Sequence, residues 1–324
     1  MKLRKLGRTG LEISEIGFGG SGIGGQTSGP LEDRESMAAL QRAFELGVNY
    51  FDTALVYGYG HSERLLAEFI RREKLRERVI IATKIPPMNL HWPASAHASV
   101  EEVYPVHHIK TLIRESLRNL RVQYLDVFML HVFHDHFLEE DGWQRTIESL
   151  KAEGVVRFFG ISVGRFEPQS ALRAVRSGIV DVLQVHYNVF EQSPEDELFA
   201  AAKEHDVGIV CRSPLEESAL AGRLAKDTRF AEGDPRSIYF AAEKLAEVVD
   251  RVEAVRGILE DAAGGMAAGA LRFCLSHPQV STVIPGIRTV EQAELNAAVS
   301  DAGPLPAAVI ESLRAHRWDR RGAW

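Results

Sequence analysis

Three features of the 324-residue sequence predict a (β/α)8 barrel. Eight short apolar segments alternate with helix-like segments, and several of the apolar segments end on a charged or polar residue. Three long strand-to-helix connections would open on one face, where such a barrel carries its ligand sites.

Taken in order, residues 2–17 read as a β-hairpin: Leu3 and Leu6, a Gly7-Arg8-Thr9-Gly10 turn, then Leu11, Ile13 and Ile16 among polar residues. Residues 16–19 supply the first barrel strand. The following Gly17-Phe18-Gly19-Gly20-Ser21-Gly22 formally matches a dinucleotide fingerprint, but Gly24, Gly25, Gly29 and Pro30 separate it from any helical pattern. The bare backbone at Gly19 and Gly20 is nonetheless open to a cofactor phosphate. Helices are expected at 33–46, 62–72 (with Ser62 as N-cap), 108–121, 142–153, 168–177 and 194–205. Strands are expected at 48–52, 79–84, 125–131, 156–162, 181–186, 208–212 and 281–285. The long connections are 85–107, 132–141 and 213–249. A doubly wound sheet is the other architecture this rhythm allows.

No linker or low-complexity tract interrupts the pattern, so residues 1–324 read as a single domain. The net charge of −7, with both signs interspersed, argues against a nucleic-acid binder. No apolar run approaches the ~18 residues of a membrane span. The start has positive charge without an apolar segment behind it, so no signal peptide is expected. Two cysteines, Cys211 and Cys274, are too few for a disulfide framework and suit a reducing cytoplasm.

Asp52, Lys84 and His131 each close an apolar strand, and Tyr57 stands in the loop after the first. On a barrel their side chains meet above the mouth. The chemistry they suit is proton donation to a carbonyl that receives a hydride. A free phenol titrates near 10, and a neighbouring lysine cation would bring it down. Aspartate would hold the lysine, and a neutral histidine would donate to the carbonyl oxygen as charge develops there. His131, His134, Asp135 and His136 are all possible metal ligands, but no matching cluster lies elsewhere. A polar, aromatic lid is the preferred reading, with Trp92, Phe133 and His134 lining a substrate pocket and no metal.

At this point the chain resembles the aldo-keto reductases, along nearly its whole length. The resemblance rests on Gly47-Val48-Asn49-Tyr50-Phe51-Asp52-Thr53-Ala54 with Tyr57, Ala82-Thr83-Lys84, Leu130-His131 and Gly160-Ile161-Ser162. Gln184 with Tyr187-Asn188, Ser213-Pro214-Leu215, Ile284-Pro285-Gly286 and the Gln292…Asn296 spacing complete it. The family implies NADP(H)-dependent interconversion of carbonyls and alcohols by a tetrad falling on Asp52, Tyr57, Lys84 and His131. It also implies nicotinamide contacts at Ser162 and Gln184, and phosphate contacts at Ser213, Pro214, Leu215, Gly286, Arg288, Gln292 and Asn296. Two departures stand out. Val163 and Gly164 occupy the place of an amide-binding asparagine, and Arg212 that of an aromatic residue stacked on the nicotinamide, a role a planar guanidinium can also take. Two other classes share parts of the pattern: a cofactor-binding regulatory subunit with little turnover, and a Rossmann dehydrogenase built on Gly17–Gly22 and Asp52. The second leaves Lys84 and His131 without a role. A small-molecule carbonyl is the expected partner, its identity left open.

Overall fold

The computed structural model describes residues 1–25, 32–95 and 97–320, so Gly29 and Pro30 lie outside the described residues. Strands β1 (Leu3–Lys5) and β2 (Glu12–Ser14) form the expected antiparallel hairpin, with Arg4 opposite Ile13. Leu6 and Ile13 turn into the barrel and join its inner cluster, so the hairpin plugs one end.

Among the described residues eight parallel strands follow, each beside its predecessor. They are β3 (Phe18–Gly19), β4 (Tyr50–Asp52), β5 (Ile80–Ile85), β6 (Leu125–Leu130), β7 (Val156–Ser162), β8 (Val182–His186), β9 (Gly208–Arg212) and β10 (Val280–Val283). The sheet closes where Ile16 bridges Val283 and Gly19 bridges Gly286. Gly17 N donates to Val283 O at 2.8 Å and Gly19 N to Pro285 O at 3.0 Å across that seam.

The helices are α1 (Asp33–Glu45), α2 (His61–Glu73), α3 (Val100–Val103), α4 (Val106–Leu120), α5 (Gly142–Ala152), α6 (Leu172–Ser177), α7 (Leu198–Glu204), α8 (Arg236–Tyr239), α9 (Ala242–Ala263), α10 (Met266–Ser276), α11 (Val290–Ala302) and α12 (Ala307–Arg314). In α1 the buried Ser36, Ala39, Leu40 and Ala43 share one face at the three-to-four spacing of an amphipathic helix. The expected 213–249 connection is shorter than the sequence suggested, because α8 and the start of α9 lie within it. Ser62 does not cap α2. The N-cap is Gly60, and Ser62 is the second residue of the helix, buried and donating from Oγ to Gly20 O at 2.9 Å.

Side chains alternate across each strand, giving two apolar layers. Tyr50, Ala82, Val127, Met129, Val182 and Val210 fill the barrel interior. Phe51, Ile81, Phe128, Ile161, Leu183 and Ile209 face the helices. This period-two pattern also locates the polar residues. Asp52 lies two positions beyond inward Tyr50, Lys84 beyond Ala82, His131 beyond Met129, Gln184 beyond Val182 and Arg212 beyond Val210. All five therefore emerge on the inner face at the downstream end of the barrel.

Candidate active site

Lys84 anchors the site. Its side chain is fully buried, and Nζ donates to Asp52 Oδ1 and to Thr53 O, both at 2.7 Å. Asp52 Oδ2 accepts from Gln184 Nε2 at 2.7 Å, a partnership the sequence reading did not foresee. The lysine nitrogen lies 5.2 Å from the centroid of the Tyr57 ring. Tyr57 and His131 meet edge to face at 5.9 Å, and Trp92 stands edge-on to His131 at 4.5 Å. The structure thus brings Asp52, Tyr57, Lys84 and His131 together at the barrel mouth.

Tyr57 is delivered by a tight turn, with its N–H donating to Ala54 O at 3.0 Å and Gly60 N to Leu55 O at 2.7 Å. Gly24 packs against this turn so closely that an added Cβ would lie 2.8 Å from the Tyr57 carbonyl carbon. A Cβ on Gly20 would meet Asp52 O at 2.7 Å, and one on Gly19 would meet Pro285 O at 2.6 Å. Gly19, Gly20 and Gly24 thus owe their lack of a side chain to close backbone packing beside the ends of β3 and β4.

The electrostatics correct one expectation. Burial pushes the Tyr57 hydroxyl above its ordinary value, and the nearby Lys84 charge only partly opposes this. Burial likewise raises the Asp52 carboxyl against the pull of Lys84. His131 is held well below the ordinary imidazole range by burial and by the Lys84 and Arg212 charges, so it is neutral near neutral pH. Its Nδ1 is buried and meets no hydrogen-bond partner among the described residues.

Ser162 and Gln184 pair in register on β7 and β8, both buried. Arg212 Nη2 donates to Val163 O at 3.1 Å, so the two departures from the family pattern touch one another. Burial and Arg165 bring the Arg212 guanidinium down to about 10, still charged at neutral pH, and its Nε has no partner among the described residues. After β9 the chain turns through Ser213, Pro214 and Leu215. Beyond β10, Thr289 caps α11 by accepting from Gln292 N at 3.2 Å, while Gln292 Oε1 accepts from Arg288 N at 2.7 Å. Asn296 is buried in the same helix. The Arg288 stem lies along Gly22, where an added Cβ would sit 2.5 Å from its Cγ. Gly286 pairs with Gly19 at the seam and is exposed.

Of the expected substrate-pocket residues, Trp92 stands beside His131, whereas Phe133 lies away from the cleft. Phe133 is 2% exposed and packs against Phe137 and Trp143, at 5.7 and 6.0 Å, in the layer under the helices. The strand ends at Leu130, and in the loop beyond it both Val132 and Phe133 join the apolar layer under the helices. His134 Nδ1 lies 2.6 Å from His136 Nδ1, and His136 Nε2 lies 2.6 Å from Ala98 O. The Asp135 carboxylate accepts from Arg173 N and Ala174 N at 2.7 and 3.0 Å. These side chains are therefore spent on one another, on Ala98 and on the start of α6, and do not converge with His131.

A family model described as the Aldo/keto reductase family matches residues 15–317. The "Uncharacterized oxidoreductase YqkF" of Bacillus subtilis (strain 168) is 28% identical over 319 residues, spanning 98% of this chain and 96% of that protein. The holo form of the aldo-keto reductase AKR11C1 from Bacillus halodurans superposes with a TM-score of 0.75 at 25% identity, over 98% of this chain and 97% of that one. An aldo/keto reductase from Klebsiella pneumoniae, solved in complex with NADP and acetate, gives 0.67 at 25% identity, over 99% of this chain and 98% of that one.

Proposed function

Because the chain belongs to the aldo/keto reductase family, we propose that it reduces an aldehyde or ketone to the alcohol with NADPH, or runs the reverse oxidation, with Tyr57 as the proton donor. The protein is an oxidoreductase acting on carbonyl or alcohol substrates. The single observation that carries the mechanism is the buried Lys84 ammonium, bonded to Asp52 at 2.7 Å and 5.2 Å from the Tyr57 ring.

Of the three donors on Lys84, two are taken by Asp52 and Thr53 O, leaving one for the phenolic oxygen. The lysine charge then stabilises the phenolate that remains once Tyr57 gives up its proton. Asp52, clamped from its other side by Gln184, keeps Lys84 charged and fixed. Neutral His131 donates to the same carbonyl oxygen as negative charge builds on it. Trp92 bounds the cleft on the His131 side.

The polar atoms around the mouth fit a nicotinamide coenzyme, which when bound supplies the hydride. Ser162 and the unused oxygen of Gln184 suit its carboxamide, and the buried, orphaned Nε of half-buried Arg212 suits a planar or anionic neighbour. The Ser213–Leu215 turn and the start of α11 are the sites assigned to its phosphates. The NADP complex of the Klebsiella pneumoniae relative supports NADP(H) as the coenzyme. Absorbance-monitored NADPH consumption across a panel of carbonyls tests the assignment. Turnover with none of them, despite stoichiometric coenzyme binding, would favour a regulatory subunit instead.

Arg288 is the residue expected to select the phosphorylated coenzyme. A charge-assisted contact contributes about 1.5–3 kcal/mol, so Arg288→Ala should weaken NADPH binding by roughly tens-fold while leaving NADH nearly unchanged. Equal losses for both coenzymes in a binding titration would assign Arg288 a structural role.

The pH dependence follows from two opposite shifts. His131 lies below its ordinary value of about 6.5 and Tyr57 above its ordinary value of about 10, so between them His131 is neutral and Tyr57 protonated. Reductive kcat should therefore stay level across neutral pH, falling in acid only as His131 protonates and in alkali only as Tyr57 loses its proton. An acid limb with its midpoint near 7 would contradict a neutral His131.

A further inference from the structure

We propose that Arg320, close to the end of the chain, is a positioning residue for the 213–218 turn and, through it, for the coenzyme. This rests on the reading of that turn as a coenzyme site. The turn is unusual in its backbone. Ser213, Glu216, Glu217 and Ser218 all adopt left-handed φ, at 49°, 48°, 51° and 80°, although none is glycine. Such conformations persist only where surrounding contacts over-determine them.

The contacts that do so converge on Glu216, whose side chain is fully buried. Its Oε1 accepts from Arg320 Nη1 at 2.6 Å and from the Tyr239 hydroxyl. Its Oε2 accepts from Asn188 Nδ2 at 2.7 Å and from Arg320 Nη2 at 3.3 Å, with His186 Nε2 at 3.4 Å. The same Asn188 nitrogen donates to Ser213 O at 3.0 Å, tying both ends of the turn to one amide. His186 is held down to about 3 by burial, despite Glu216, and is neutral, which leaves Arg320 as the cation bonded to Glu216. Burial alone would raise the Glu216 carboxyl, yet Arg320, with His186, holds it well below the usual range.

Arg320 is itself held in place. Its guanidinium lies 4.1 Å from the Phe166 ring and 4.6 Å from the Trp318 ring, and 3.9 Å from Glu191. The tail leading to it is fastened by Trp318 N donating to Phe190 O at 2.8 Å and by the Arg317–Asp196 pair at 2.6 Å. One side chain thus joins the connections after β7, β8 and β9 to the 224–240 segment, without touching Tyr57, Lys84 or His131. Its effect should fall on the coenzyme and not on proton transfer.

Coenzyme affinity by fluorescence titration, together with steady-state kinetics, tests this. Arg320→Met keeps the stem but removes the charge. It should raise both Kd and KM for NADPH about tenfold, the lower end of what losing a supporting partner behind a binding group costs. The kcat at saturating NADPH should stay near wild type, the pattern of lost binding. Arg320→Lys should recover part of the affinity. If Arg320→Met does not fold, Tyr239→Phe removes a donor to Glu216 without orphaning a charge, and should shift Kd in the same direction by a smaller factor. Folded variants that lower the melting temperature but leave Kd unchanged would make Arg320 merely structural and overturn the proposal. A loss confined to kcat would overturn it equally. Wild-type protein that binds no NADPH in the same titration would sink the reading of the turn, and this inference with it.

Discussion

Tyr57→Phe is expected to lose about 10²–10⁴-fold in kcat, the share a positioned general acid contributes, while NADPH binding stays at the wild-type level. The substitution removes one oxygen and preserves the ring that meets His131 at 5.9 Å and faces Lys84 at 5.2 Å. Nothing in the packing should change. Single-turnover reduction, followed with coenzyme already bound, isolates the step. Full activity of the phenylalanine variant across the pH range would remove Tyr57 from the mechanism.

Lys84→Met should cost both catalysis and stability, and the two losses can be separated. Asp52 is 3% exposed, and without Lys84 its carboxylate would keep only Gln184 as a side-chain partner. Breaking a buried pair by removing one member costs about 3–5 kcal/mol, which for a chain of this size lowers the melting temperature by roughly 10 °C. Adding Asp52→Asn removes the orphaned charge. The double variant should recover most of the melting temperature and none of the turnover. If stability and turnover returned together, Lys84 would be a packing residue, and the proposed stabilisation of the phenolate would be lost with it.

Much of this architecture was legible because barrel strands are short, apolar and inward–outward alternating. The polar residue two steps past an inward apolar one is the signal that picks out Asp52, Lys84, His131, Gln184 and Arg212 from sequence. Other features left no such mark. Phe133 looked like a lid residue, but alternation stops with β6 at Leu130, and the loop beyond turns both Val132 and Phe133 into the core. Ser62 looked like a helix cap, but it serves as a hydroxyl bridge between Thr53 and Gly20 O. The glycine cluster at 17–25 gave no clue to its packing role, in which neighbouring backbone crowds out any side chain at Gly19, Gly20 and Gly24. The start of α9 was hidden because Gly233 and Pro235 made the preceding stretch read as loop. The direction of the Tyr57 shift depended on burial, which no local pattern reports. Glu216 and Arg320 stand 104 positions apart, and a pair so distant leaves no periodicity to read.

The seam between β3 and β10 has a consequence for how the molecule forms. Seven of the eight neighbouring strand pairs join segments that follow one another in the chain, with α8, α9 and α10 between β9 and β10 the longest interruption. The eighth, Ile16 with Val283 and Gly19 with Gly286, joins the two ends. Its closure entropy is the largest in the fold, because almost the whole polypeptide forms the loop. Contacts of such sequence separation slow folding. During synthesis the seven local pairings can assemble as the chain emerges, but the ring stays open until β10 has left the ribosome. Until then the edge of β3, with its unpaired Gly17 and Gly19 amides, is an exposed template for another strand. β10 therefore acts as the element that seals a vulnerable edge, and a truncated product ending before Val280 would leave that edge bare.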